Sequence, residues 1–296
     1  LSLEKTCIIG GAGAQIAPWL IPGLLRRQWK LRLLSRGISV RPDYGPAAVW
    51  QDFDFRDRKP LQTGPARTLI HIADVNLAVP RMQAFHDVGV KRVVAFSSTS
   101  MLTKVKSTST YDLALVDRFQ RAEDDLAEAC QKLGMAWTIL RPTMIYGGLG
   151  SKGVVVDIAR IIRLTGGWFP LIGDASGLRQ PVHAADLAIA AIQAAESESA
   201  ANRAFNLSGA EKLTFRHMVE RIFQALGRKP RIIRVPVSAF RVAIFVAQKF
   251  PRYSHISTAT ALRMLKDMSF DHSEASEAFG YSPVPFIPFQ NYPNTP

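Results

Sequence analysis

The stretch "CIIGGAGAQIAPWLIPGLL", residues 7–25, decides how the rest of the chain is read. An apolar β-type run ends in Gly10 and Gly11, and an apolar helical pattern begins a few residues later. Glycines at such a junction let the backbone turn tightly. The helix that follows presents free N–H groups and the positive end of its dipole, which together favour an anion. Alanine stands at positions 14 and 17, where glycine would ease the approach of a ligand or of a neighbouring strand. Pro18 falls in the first helical turn, where its missing N–H is harmless. Pro22 lies deeper and removes a backbone donor, so a kink is expected there.

Outward from this stretch, short apolar runs alternate with helical patterns. Residues 6–11, 30–36, 47–55, 67–74, 91–99 and 136–142 read as strands. Helices are expected over 17–28, over 76–89 despite Pro80, and from about 113 to 133. Strands that are apolar throughout and separated by helices indicate a parallel sheet buried on both faces. This order is the doubly wound α/β pattern. Further on, 177–196 reads as an extended piece leading into an alanine-rich helix, and 203–209 as a strand and turn. Residues 214–227 read as a helix with Thr214 as its N-cap and Gly227 as its stop, and 231–236 as a strand. The remainder reads as helical, then proline-rich after Gly280.

The chain has 296 residues, 47% of them hydrophobic, enough for one large domain or two intimately joined ones. It shows no repeat of fixed period and no low-complexity tract. The longest apolar candidate, "FRVAIFVAQKF" (240–250), is too short to span a bilayer and contains Arg241 and Lys249. The first strand begins near Lys5, so no leader segment is expected ahead of it. Cys7 and Cys130 lack metal-ligand spacing, so no metal site is expected and a reducing, cytoplasmic setting follows. The net charge of +13 calls for an anionic partner: a nucleotide, a nucleic acid or a membrane surface. The basic residues are scattered, though dense in "LRRQWKLRLLSRGISVR". There is no zinc-finger spacing, RNA-binding aromatic motif or basic tail, so nucleic acid is not expected. A peripheral membrane contact rests on composition alone.

The segments "GGAGAQIAPWL", "SR", "DFDFRD", "HIAD", "VKRVVAFSST", "WTILRPTMIYGG", "RQPVHAADLA" and "FNLSGAEKLTFRHMVERIFQALGRKP" occur in a telling order. It is the order seen in extended and atypical short-chain dehydrogenase/reductases. The chain resembles their NAD(P)-dependent epimerase/dehydratase branch over nearly its whole length. The resemblance implies a Rossmann doubly wound parallel sheet, formed by residues 1–148 and about 177–206. It also implies a smaller substrate domain from about 149–176 and 207–296. The expected ligands are a dinucleotide and a small-molecule substrate such as a nucleotide sugar. Members often pair through helices, so a homodimer stays open; no residue here demands it.

Under this resemblance Gly11, Ala14 and Ala17 take the three fingerprint positions. The alternative register uses Gly10 and Gly13, with the third position on Ile16. Gly10, Gly11, Gly13, Ala14, Gln15 and Ile16 are therefore the candidate cofactor contacts of the turn. Strand two ends in Ser35-Arg36 rather than in Asp or Glu. An arginine there accommodates a 2′-phosphate, so NADP is expected rather than NAD. Asp54 and Phe55 take the adenine-contact step, and Ala73 lies where the chain passes the cofactor after strand four. His71, in the same strand end, is expected to be structural.

Family chemistry rests on a Tyr-x-x-x-Lys pair, whose members share one helix face. The ammonium lowers the tyrosine pKa for acid–base work. None of the six tyrosines here has lysine four residues on. Aligning Glu123 and Leu126 on the following helix places Leu115 and Phe119 at the pair. Thr99 takes the Ser/Thr position after strand five, with Ser98 beside it. Tyr111, one turn before the pair, is the candidate displaced acid. Arg118 lies beside the lost lysine, and Lys104 and Lys106 lie in the preceding loop. Arg179 of "RQPVH" takes a substrate-phosphate position, while His183 and Asp186 are expected to order that turn. Two functions follow. One is an NADP-linked oxidoreductase or an isomerase of the epimerase type with rearranged catalytic groups. The other is a non-catalytic dinucleotide-binding sensor or assembly subunit.

Overall fold

The computed structural model describes residues 5–37, 41–57, 59–103, 109–147, 153–247 and 263–289, with the side chains of 243–247 excepted. The first half contains β1 (Thr6–Gly10), α1 (Ala17–Arg26), β2 (Lys30–Ser35), β3 (Ala48–Asp52), β4 (Thr68–His71), α2 (Val75–Ala78) and α3 (Met82–Asp87). It continues with β5 (Arg92–Phe96), α4 (Ser100–Thr103), α5 (Thr110–Lys132), β6 (Ala136–Pro142) and β7 (Ile145–Tyr146). Next come α6 (Val154–Leu164), β8 (Phe169–Ile172), β9 (Leu178–Arg179), β10 (Val182–His183), α7 (Ala184–Glu196) and β11 (Arg203–Leu207). The last elements are β12 (Leu213–Thr214), α8 (Phe215–Ala225), β13 (Ile232–Val235), α9 (Val237–Ala247) and α10 (Ser273–Phe279).

Seven strands form one parallel sheet in the order β3-β2-β1-β4-β5-β6-β11. The order reverses between β1 and β4. A crevice outside the carboxyl ends of the strands at such a reversal is where ligands bind in open α/β sheets. Helices cover both faces, as the apolar strands require. On one face Leu20, Ile21 and Leu24 of α1 pack with Ala188, Ala191 and Ile192 of α7. The small alanine side chains let the two helices close on the sheet. On the other face Phe85, Ala122, Leu126 and Cys130 pack against Ile8, Val93 and Ile139. A third cluster joins α6, β8 and α8 through Ile158, Ile162, Phe169, Met218 and Phe223.

One local outcome differs from the sequence expectation. The segment 76–89 is not one helix: a single 3₁₀ turn containing Pro80 separates α2 from α3. Proline removes the donor that a continuous helix would need there. In α1, by contrast, the helix runs from Ala17 to Arg26 with Pro22 inside it. The lost bond is the one to Pro18, in the first turn, so a single interaction is forfeited. α10 lies against the sheet. Ala275, Phe279 and Tyr281 pack in the α1/α7 layer, and the Phe279 ring meets Phe205 edge-on at 5.1 Å. At α8 the structure follows the sequence closely. Thr214 Oγ1 accepts from His217 N at 3.1 Å, and Gly227 has φ +67°. Among the described residues no helix is long and apolar enough to cross a membrane.

Two buried carboxylates anchor α5. Glu123 is 4% exposed and accepts from Arg141 Nε through both oxygens, at 2.9 and 3.1 Å. Asp112 is 1% exposed and accepts from Arg263 Nη2 through both oxygens, at 2.7 Å each. Removing one partner leaves a charge buried alone, which is much costlier than losing a solvated pair. Glu123→Ala is expected to lower unfolding free energy by about 3 kcal/mol, as a shifted urea midpoint at unchanged slope. Glu128→Ala, which breaks an exposed pair with Lys132 on the same helix, is expected to leave the midpoint in place.

Candidate cofactor site

The glycine turn is shaped by β4. Gly11 has φ +80°, and a Cβ there would lie 2.6 Å from the Ala73 Cβ. A Cβ at Gly10 would collide with His71 Nδ1 and lie 3.0 Å from Phe55 Cζ. Side chains are excluded at both positions because the turn rests directly on the end of the neighbouring strand. Gly11 N and Ala12 N donate to Leu34 O at 3.0 and 2.9 Å, which sets the end of β2 beside the turn. Ala14 N donates to Gly11 O at 2.8 Å, and Ala17 N to Ala14 O at 3.0 Å, leading the chain into α1. The amides of Gly13 and Gln15 have no backbone carbonyl partner among the described residues. Ile16 caps α1 without a side-chain acceptor. The helix start therefore offers donors to an external anion.

A cavity of about 280 Å³ opens at this point. Gly11, Gly13, Ala14, Ala73 and Leu77 line one part of it; Ser35, Arg36, Asp54, Phe55 and Arg56 line the other. The structure thus brings together seven of the ten expected contacts at the cavity wall: Gly11, Gly13, Ala14, Arg36, Asp54, Phe55 and Ala73. The Phe55 ring is buried edge-on against Phe53 and His71, at 5.0 and 4.8 Å. Gly10, Gln15 and Ile16 do not line it. Gly10 lies over His71, Ile16 is 3% exposed in the α1 core, and the Gln15 side-chain nitrogen is buried with no partner. Ala14 packs partly against the same core.

Arg36 Nη1 stands 3.5 Å from Asp54 Oδ2, and the Arg36 side chain is 58% exposed. It also borders an adjoining cavity of about 480 Å³, which Lys59 shares. The Arg56 amide donates to Asp54 Oδ1 at 3.0 Å. That bond, together with the Arg36 and Arg56 charges, holds the Asp54 carboxyl below the usual range. Arg56 is the charged lining residue that sequence reasoning missed, beside Ser35, Phe53 and Leu77. Its signal was present in "DFRD", two residues past Asp54.

On the reaction side, the backbone N and Oγ1 of Thr99 both donate to Pro142 O, at 3.2 and 3.0 Å. The hydroxyl proton is committed, so Thr99 offers an incoming group only lone pairs. Ser98 Oγ accepts from Ser100 N at 3.1 Å and keeps its own proton for another acceptor. Tyr111 lies in the first turn of α5 and is 75% exposed, without the enclosure that a displaced acid needs. Phe119 packs partly against the second core layer. Arg118 reaches across to Asp74 Oδ2 at 3.0 Å, beside Ala73. Lys104 and Lys106 lie outside the described residues.

Arg179 is 4% exposed and turned toward the chain itself. Its Nη1 donates to Leu178 O and Lys266 O at 2.7 and 2.8 Å, and its Nη2 donates to Arg263 O. These carbonyls occupy the guanidinium expected to meet a substrate phosphate. His183 Nδ1 accepts from Ala185 N at 3.1 Å and so orders its turn, whereas Asp186 Oδ2 accepts from Val284 N at 3.2 Å and ties the start of α7 to the distal segment. His71 is fully buried, with Nε2 3.0 Å from Asp74 O. Among the described residues no group of His, Cys, Asp and Glu is arranged to hold a metal ion.

Sheet order and glycine turn define a Rossmann-type α/β protein. Residues 62–208 match the NAD dependent epimerase/dehydratase family. The chain is 32% identical over 286 residues to a divinyl chlorophyllide a 8-vinyl-reductase of Oryza sativa subsp. indica, with 84% of this chain and 66% of that protein covered. The corresponding Zea mays protein is 31% identical, with 84% and 67% covered. The chain therefore spans about two thirds of the length of these relatives. A dTDP-glucose 4,6-dehydratase from Streptomyces venezuelae, solved with NAD bound, superposes with a TM-score of 0.71 at 16% identity, covering 95% of this chain and 92% of that one. The chain belongs to the NAD dependent epimerase/dehydratase family. The matched segment begins after the glycine turn and Arg36.

Burial pushes the His71 and His183 imidazoles down to about 4. Both stay neutral in the folded chain until that pH, whereas the unfolded chain takes up protons below about 6.5. The unfolded state binds more protons in this window, so stability falls as pH drops from about 6.5 toward 4. The slope is at most about 1.4 kcal/mol per pH unit for each histidine. Urea titrations at stepped pH check this; a His71→Gln variant should show a shallower fall.

Proposed function

We propose that the protein is an NADP(H)-dependent oxidoreductase of the epimerase/dehydratase type whose proton transfer does not run through a Tyr/Lys pair. The observation that carries the reading is the placement of Arg36 and Arg56 at one part of the cavity that Gly11, Gly13, Ala14 and Ala73 also line. The donor set fits a dinucleotide. The amides at the start of α1 suit a diphosphate, and Gly11 against Ala73 leaves the approach open. Arg36 suits a 2′-phosphate, which a carboxylate at that strand end would repel. The half-exposed Arg36 keeps most of its donors for a ligand, because its pair with Asp54 is long.

A bound nicotinamide supplies the hydride. The chain's own part is to hold the dinucleotide along the switch point and to orient the substrate beside Ala73 and the β5 end. Ser98, with its free proton, is the better donor to a substrate carbonyl; Thr99 accepts. The relatives named as vinyl-reductases support reduction as the reaction class. With Arg179 closed by carbonyls, the reading favours a reducible small molecule over a nucleotide sugar. A second reading, a dinucleotide sensor without turnover, is favoured by the apolar Leu115 and Phe119 at the pair positions.

Calorimetric titration tests the cofactor part. NADP should bind more tightly than NAD, and Arg36→Ala should weaken NADP by about tenfold or more while moving NAD by about twofold at most. Equal weakening of both would remove the basis for NADP. NADPH consumption against a panel of carbonyl and conjugated-alkene acceptors then separates the two readings. Turnover lost in Ser98→Ala supports the enzyme; binding without turnover of any acceptor supports the sensor.

A further inference from the structure

The turn between α6 and β8 exposes large apolar side chains. Leu164 is 79% exposed and Trp168 46%. Ile161, one turn earlier on α6, and Ile233 on β13 are also exposed. The turn is firmly built. Trp168 N donates to Thr165 Oγ1 at 3.1 Å, Thr165 Oγ1 donates to Ile161 O at 2.8 Å, and Gly167 N donates to Ile162 O at 2.8 Å. Its exposure is therefore held in place. β8 and β13 pair in parallel with Ile233 opposite Pro170. Phe169 and Leu171 are buried in the third cluster, so the alternate positions Pro170 and Ile233 face outward.

Cations surround these residues. Arg228, Lys229 and Arg231 line a cavity of about 290 Å³ whose other wall is Gly166 and Gly167. None of the three has an ion pair among the described residues. The Arg231 guanidinium lies 5.8 Å from the centre of the Trp168 ring. An indole beside a projecting leucine, flanked by unpaired cations, matches a surface that is apolar below and anionic above.

We propose that this tip docks the protein on an anionic phospholipid surface. Leu164 and Trp168 enter the boundary between headgroups and acyl chains, and Arg228, Lys229 and Arg231 meet lipid phosphates. Charge complementarity selects this occupant, in line with a net charge of +13. A second copy of the chain would set the same cations against each other across a two-fold axis. A nucleic acid would use the cations but has no need of Leu164. The inference does not depend on the cofactor reading.

Sedimentation of the intact chain with vesicles tests it, using phosphatidylcholine alone and phosphatidylcholine with about 30% phosphatidylglycerol. The protein should pellet with the anionic vesicles only. Leu164→Gln with Trp168→Gln, and separately Arg228→Glu with Lys229→Glu, should each weaken binding by about tenfold. Arg26→Glu with Lys30→Glu, the same charge change on α1 and β2, should move it by about twofold at most. Circular dichroism verifies that every variant is folded. Absence of pelleting overturns the proposal, as does equal loss in the α1/β2 variant, which would mean adsorption by bulk charge. Binding indifferent to Leu164 and Trp168 also overturns it in favour of a purely electrostatic ligand. A dimer in sedimentation velocity that the Leu164/Trp168 variant breaks overturns it in favour of a second copy.

Discussion

The close approach of the β1 turn to the end of β4 is the constraint on which the rest of the site depends. Gly11 sits against Ala73 with no room for a side chain, and Gly10 covers His71 in the same way. That contact closes the wall of the cavity and buries the imidazole. It also fixes residues 72–74, because Ile72 N donates to Gly10 O at 2.8 Å. Asp74, held there, caps α2 and draws Arg118 across from α5. One steric demand at two glycines thus positions groups on both sides of the crevice, including the helix that carries the departures from the usual catalytic pattern.

The alanines of the turn take on a different meaning in this setting. Ala14 packs partly against the α1 core and still borders an open cavity, so its methyl group does not close the site. The changes on α5 are of another kind. Leu115 and Phe119 are apolar at the positions that the family resemblance gives to the acid–base pair, while Thr99 donates its proton to Pro142 O. The cavity wall at the turn is thus kept open around Ala14, while the first turns of α5 carry no Tyr-x-x-x-Lys.

Most of the sheet was legible in the sequence because each central strand is apolar on both faces, which few other structures allow. Its doubly wound class followed from the strand–helix alternation, while the strand order is seen only in the structure. The break at Pro80 was visible but outweighed by the helical pattern around it. Other features rest on contacts far apart in the chain. Arg179 looked available for a phosphate because the carbonyls that occupy it come from residues 263 and 266. Gln15 and Ile16 looked like contacts from their place in the motif, but Ile16 is buried in the α1 core and Gln15 does not line the cavity. The exposure of Leu164 and Trp168 is likewise not written in the sequence, since apolar spacing does not say whether anything covers a residue.

The route of residues 263–281 has a consequence for how the molecule is made. Arg263 pairs with Asp112, its carbonyl and that of Lys266 hold Arg179, and Ala275, Phe279 and Tyr281 complete the core beside β11. Synthesis runs from the amino end, so the Rossmann layers emerge well before the segment that seals them. Until it arrives, a buried carboxylate and a buried guanidinium lack their partners and one sheet face lacks its last cover. The nascent sheet must wait, folded but unsealed, for a segment more than fifty residues beyond β11 to cover it.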